Sequence, residues 1–156
     1  MSESSTLLYK RATFVTQLPV KSLYSPSHCW LTQMDSGVWR VGFTKFALRM
    51  LGELVDVQFE KPVGAEIRPG DILGSIEGFK ALSDIYCVGQ GKFVGGNPAL
   101  KQDLEPIVRS SYTEGWLYAF EGNPDTRCLT VQDYSSLLDV TIDRILEKQK
   151  ADGVAE

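Results

Sequence analysis

The sequence predicts a mainly β domain of small antiparallel sheets, with one short internal helix and a C-terminal amphipathic helix. Three observations support this. Glycines and prolines recur at short intervals through the first three quarters of the chain, too closely for a parallel α/β sheet. The apolar runs between them are short and strand-like. Beyond Thr130 the period changes, and the apolar residues fall on one helical stripe.

Taken in order, residues 1 to about 8 read as a loose terminus. Pro19 and Pro26 bracket an irregular entry that ends in Ser25-Pro26-Ser27-His28-Cys29-Trp30. Asp35-Ser36-Gly37 marks a turn before a strand over Val38–Gly42. Thr44 to Leu51 reads as a helix: Thr44 can cap it, Phe43 and Leu48 stand at staple spacing, and Gly52 stops it. Val55, Val57 and Phe59 alternate with polar residues, the pattern of a half-buried strand.

Pro62, Gly64, Pro69 and Gly70 punctuate turns before two strand-like runs, Asp71–Ile76 and Asp84–Val88. Gly95-Gly96-Asn97-Pro98 turns the chain again, and Gly115–Phe120 is the last expected strand. Tyr134, Leu137, Leu138, Thr141, Ile142, Ile145 and Leu146 define the helical stripe, with Thr130 and Asp133 resembling a capping box at its start. Such a stripe either packs on the β core or docks a partner. The tail from Ala151 is expected to fray.

Composition narrows the function. The chain has 156 residues, enough for one domain with a real core. A net charge of -4 and a pI near 5.1 disfavour nucleic acid and anionic membranes as partners. No apolar run is long enough to cross a bilayer, and the polar start does not resemble a secretory leader. Cys29, Cys87 and Cys128 are odd in number and lack zinc spacing, which points to a reducing, cytoplasmic setting without a metal. Phosphate-binding glycine fingerprints are missing. The single histidine, His28, adjoins Cys29, but neighbouring strand residues face opposite ways, so no catalytic dyad is expected. These features describe a protein that is not itself an enzyme.

The most informative stretch is Ser75–Tyr86, where Lys80 falls near the tip of a connection between two strands. A lysine on a rigid turn is a good attachment point, although a lone turn lysine is ordinarily just solvated. Glu77 and Asp84 flank it, with Gly78 and Phe79 immediately before it.

From about Lys21 to Phe120 the chain resembles the glycine cleavage system H protein family of lipoyl carriers. Tyr24-Ser25-Pro26-Ser27-His28-Cys29-Trp30 is similar to the family's Tyr-x-x-x-His-Glu-Trp entry. Val41-Gly42-Phe43-Thr44 and Leu51-Gly52-Glu53-Leu54-Val55 match its next block. Glu77-Gly78-Phe79-Lys80-Ala81-Leu82-Ser83-Asp84 resembles its lipoylation motif Glu-Ser-Val-Lys-Ala-x-Ser-Asp. Asn97 and Tyr112-Thr113-Glu114-Gly115-Trp116-Leu117 follow in the same order.

The resemblance implies a lipoyl-domain-like flattened barrel or sandwich of two small sheets, with the C-terminal helix packed on it. The division it suggests is an N-terminal extension (1–20), a carrier domain (21–120) and a helix with tail (121–156). It implies lipoate in amide linkage on Lys80, and an arm cleft at Ser27, His28 and Cys29. Glu77 and Asp84 are either part of a surface read by a lipoate–protein ligase or simply turn solvation. The implied partners are that ligase, the glycine cleavage P, T and L proteins, and dihydrolipoamide dehydrogenase.

Cys29 stands where the family has a glutamate that helps hold the aminomethyl cargo, so an ammonium group would lose a charge-assisted hydrogen bond worth roughly 1.5–3 kcal/mol. A thiol there suits sulfur chemistry or, equally, a small buried residue. Gly78-Phe79 replaces Ser-Val, and Cys87-Val88 stands where the family usually has Pro or a small residue. These departures resemble the divergent lipoate-binding proteins linked to heterodisulfide-reductase-like sulfur oxidation. The expectation is therefore a monomeric carrier serving such a complex. The alternatives are an aminomethyl carrier of glycine cleavage and, from a different class, an unmodified interaction module using the helical stripe.

Overall fold

The computed structural model describes residues 5–153. The expected loose ends at residues 1–4 and 154–156 lie outside the described residues. The elements run β1 (Thr6–Arg11), β2 (Phe14–Pro19), β3 (Leu23–Tyr24), β4 (Cys29–Gln33), β5 (Val38–Phe43), α1 (Lys45–Leu51), β6 (Leu54–Phe59) and β7 (Glu66–Ile67). They continue with β8 (Ile72–Gly78), β9 (Leu82–Tyr86), β10 (Gly89–Gly96), α2 (Glu105–Arg109), β11 (Tyr118–Pro124) and α3 (Val131–Ala151).

A six-stranded antiparallel sheet, in order β3-β4-β5-β11-β10-β7, shares a core with a three-stranded sheet, β6-β8-β9. Leu31, Val41, Phe93 and Phe120 come from the first sheet, and Leu73, Ile76 and Ile85 from the second. This is the expected flattened sandwich. It has one addition: β1 and β2 pair as a separate two-stranded sheet.

Strand pairing therefore begins at Thr6, not after residue 8 as the polar composition suggested. The hairpin is held by a tertiary surface the terminus itself does not announce. On β2, Phe14, Thr16 and Leu18 point inward at period 2, and Tyr9 does so from β1; Tyr9, Phe14 and Leu18 join Tyr24, Phe46, Tyr134, Leu138 and Ile142 in a second apolar cluster. The stripe of α3 is buried at Tyr134, Leu138 and Ile142 in this cluster, so packing accounts for most of it, while Ile145 and Leu146 at its end are only partly covered. The Tyr9 hydroxyl donates to Asp139 at 2.7 Å, and the Arg11 guanidinium spans both carboxylate oxygens of Asp143 at 3.1 and 2.6 Å. Being half exposed and screened by water, these contacts set register more than stability.

Helix signals are placed as expected. Thr44 caps α1 through the Ala47 amide, Gly52 ends it, and Thr130 caps α3 through the Asp133 amide. Two strand expectations need correction. Val55 is exposed because a bulge between Leu54 and Asp56 takes it out of the alternation. The last strand starts at Tyr118, not Gly115, because Gly115 is packed beneath α2, where an added Cβ would lie 2.4 Å from the Pro106 carbonyl oxygen.

Candidate functional site: a pinned lysine

Phe79 and Lys80 form the tip of the three-residue connection between β8 and β9. The Gly78 amide closes that tip by donating to the Ala81 carbonyl at 2.9 Å. Both tip amides are then tied to the end of α1: Phe79 N–H donates to Glu53 O and Lys80 N–H to Leu51 O, each at 2.9 Å. The backbone of the lysine is thus fixed at both neighbours while its side chain is exposed. The site fits a covalently attached acyl group, since the amine is reachable and its mount is rigid.

Two glycines make this fit. A Cβ on Gly52 would come within 2.8 Å of Lys80 Cγ, and Gly52 already holds a left-handed φ of 76°. A Cβ on Gly78 would lie 2.2 Å from the Leu51 carbonyl oxygen. The departure from the family's serine at Gly78 therefore has a packing reason: here the hairpin presses directly on α1. Gly78→Ser is expected to destabilise the fold by about 1–3 kcal/mol in urea denaturation. It should also speed amide exchange at Lys80. Unchanged exchange at that amide would show that the pin does not depend on the missing Cβ.

Glu77 and Asp84 share the outer face of this hairpin, through the register pairs Glu77↔Leu82 and Ser75↔Asp84. Phe79 and Leu82 are 76% and 73% exposed beside them. Acidic and apolar side chains thus surround the lysine together. Leu82 and Tyr86 share this face with Asp84, at the period-2 spacing of residues 82, 84 and 86.

Ser27, His28 and Cys29 are adjacent in the chain and part ways in space. The Ser25 hydroxyl accepts from the Cys29 amide at 3.0 Å and bonds Ser27 Oγ at 2.8 Å, while the His28 amide donates to Ser25 O at 3.0 Å. This tight turn puts His28 at φ 74°. Ser27 lines a cavity of about 190 Å³ with Tyr86, Cys87, Asp125 and Arg127. His28 points to α3, and Cys29 is buried in the main core. The three residues do not form one cleft, and the Ser27 cavity does not include Lys80.

Burial decides the chemistry of these groups. It pushes the Cys29 thiol up to about 12, against a weaker opposing hydrogen bond from Ser25. Cys87, whose S–H donates to Gly89 O at 2.9 Å, and Cys128 are each pushed up to about 11 by burial. All three are neutral thiols at pH 7, and the thiolate is the reactive form. Burial also brings His28 down to about 4.

His28 Nδ1 lies 2.9 Å from the Tyr134 hydroxyl, which lies 2.9 Å from Thr44 Oγ1. The direction that uses every hydroxyl hydrogen runs from the Ala47 amide to Thr44, from Thr44 to Tyr134, and from Tyr134 to a neutral His28. Its role is structural: it joins α3, the α1 cap and the β3–β4 turn. Sequence reading placed Thr44 and Tyr134 separately and had no signal that they meet.

A lysine displayed on a pinned hairpin tip, mounted on a flattened two-sheet sandwich, defines a carrier domain of the lipoyl type. The family model for glycine cleavage H-protein matches residues 22–139. Glycine cleavage system H proteins from Salmonella typhimurium and Listeria monocytogenes are 33% and 36% identical over 127 and 125 residues. These alignments cover 81% and 78% of this chain and 93% and 98% of theirs. A crystal structure of a glycine cleavage system H protein from Mycobacterium marinum superposes with a TM-score of 0.68 at 31% identity, covering 76% of this chain and 97% of that one. The chain belongs to the glycine cleavage H-protein family. No helix among the described residues is long and apolar enough to cross a membrane.

Proposed function

We propose that Lys80 carries lipoate in amide linkage and that the protein serves as the aminomethyl carrier of a glycine cleavage system. The observation that carries this reading is the pinned tip: both tip amides are bonded to the end of α1 while the lysine side chain stands free. When attached, lipoate supplies a redox-active dithiolane on a long flexible stem. The chain's own residues fix the root of that stem, clear its path at Gly52, and confine its far end to a small volume, which raises its effective concentration near each partner. The protein is a carrier subunit and not an enzyme.

Glu77, Asp84, Phe79 and Leu82 form the surface by which a lipoate–protein ligase recognises the hairpin. The glycine cleavage P, T and L proteins, the last a dihydrolipoamide dehydrogenase, then visit the same tip. The division into an extension (1–20), a carrier domain (21–120) and a helix with tail (121–156) accompanies this reading. Its working place is the cytoplasm.

The expectation of a role in heterodisulfide-reductase-like sulfur oxidation rested chiefly on Cys29. Its support weakens at that residue, because a buried thiol near 12 offers almost no thiolate for exchange at pH 7. The named relatives support the glycine cleavage role. Ser27 and Asp84 remain as polar partners for an ammonium cargo. The lost glutamate is expected to weaken retention of that cargo.

Intact mass and peptide mapping, on protein made with lipoate and a matched ligase, test the attachment. Lipoyl on Lys80, loaded by glycine and the P protein, is the expected result. Lipoyl on Lys80 that the P protein cannot load would overturn the aminomethyl role, and sulfur accumulating on the arm would restore the sulfur reading. An unmodified Lys80 would remove the carrier reading altogether.

A further inference from the structure

A cavity of about 300 Å³ opens beside Lys80, which is one of its lining residues. Phe14, Phe46, Ile142, Ile145 and Leu146 make its interior apolar, and the first three are buried side chains of the second core cluster. Arg11 and Arg49 also line it. Arg11 pairs with Asp139 and Asp143. Arg49 donates to Thr13 Oγ1 at 2.9 Å and lies 5.7 Å above the Phe14 ring. An apolar interior of this kind suits an apolar occupant, because a polar or charged group would be desolvated against Phe14, Phe46 and Ile142. Its volume lies at the small end of the range for small-molecule sites, roughly 300–1,000 Å³.

The lysine itself points the way in. Its Cγ and Cδ lie over Gly52, at the end of the helix that carries Phe46, Arg49 and Met50. Most of the hollow is built by segments beyond the span shared with the family: residues 11–14 precede residue 22, and residues 142–149 follow residue 139. The N-terminal hairpin and the second half of α3 thus add a wall to the carrier domain beside its attachment point.

We infer that this hollow, formed by the β1–β2 turn, α1 and the end of α3, is the resting place of the lipoyl arm borne by Lys80 in this protein. The inference rests on the lipoyl-carrier reading. An arm seated there is shielded from water and from adventitious reductants, and it leaves when a partner engages the tip. The Ser27 cavity, lined by Tyr86 but not by Lys80, is the competing location.

Amide chemical shifts of the full chain with and without the lipoyl group locate the arm. Intact mass on the same samples reports whether the group is attached. Shift changes are expected at residues 12–14, 46–50 and 142–149. Met50→Glu, at a half-exposed lining position, is expected to abolish those changes and to speed reduction of the dithiolane by a water-soluble phosphine several-fold. Ile145→Glu serves as a second variant, so that the result does not depend on one substitution. Shift changes at residues 25–27 and 84–87 instead, or equal reduction rates in parent and variants, would overturn the hollow while leaving lipoylation standing. A chain with no lipoyl group in its mass would overturn the carrier reading, and this inference with it.

Discussion

Lys80→Arg is expected to abolish lipoyl attachment and to bring glycine-dependent turnover in a reconstituted system down to background. Arginine keeps the positive charge and most of the length, and the side chain at this position is exposed. Stability should therefore stay within about 0.5 kcal/mol of the parent. What changes is chemistry. A guanidinium remains protonated and is not acylated as an amine can be. Intact mass after co-expression with a ligase, together with a thermal melt, separates the two effects. A lipoylated variant, or turnover that survives, would move the attachment point away from this hairpin. The expected pair of results, a normal melt and no added mass, distinguishes a missing nucleophile from a misfolded domain.

Acidification from pH 6.5 to 4 is expected to remove about 3 kcal/mol of stability through His28. Burial lowers this imidazole from 6.5 to about 4 in the folded protein. The unfolded chain therefore binds the extra proton first, and within that window it holds more protons than the folded state. The contribution is fully present above pH 6.5 and is lost progressively as pH falls toward 4. Protonation also turns Nδ1 into a donor, which reverses the chain through Tyr134 and Thr44.

Because carboxylates titrate near the lower end of the same range, the measurement is a comparison. Urea unfolding of the parent and of His28→Asn at pH 7 and pH 4.5 isolates the histidine, and asparagine tolerates the left-handed backbone at this position. The variant should be less stable at pH 7 and should lose less on acidification. Equal losses in the two proteins would mean that His28 takes up its proton freely in the folded state. His28 is the only histidine in the chain, so no second imidazole confuses the result.

Both predictions concern residues visible from the start, yet for different reasons. The sequence by itself determined the features that short-range chemistry controls. Thr44, Gly52 and Thr130 act on the backbone within four residues of themselves, so the ends of α1 and α3 were legible. The β8–β9 hairpin needs only alternation and a turn, so Lys80 at its tip was legible as well. The flattened sandwich followed from the motif order shared with the family.

What the tertiary structure alone decided involves residues far apart in the chain. The N-terminal hairpin gains its reason for ordering from α3, through contacts such as Tyr9–Asp139 across 130 residues. His28 faces Tyr134 across 106 residues, whereas its neighbour Cys29 faces the main core. No local pattern encodes which of two adjacent side chains enters which core. The hollow beside Lys80 arises only where the start, middle and end of the chain meet. Its walls are made by packing, and packing partners are set by the whole fold and not by any one segment.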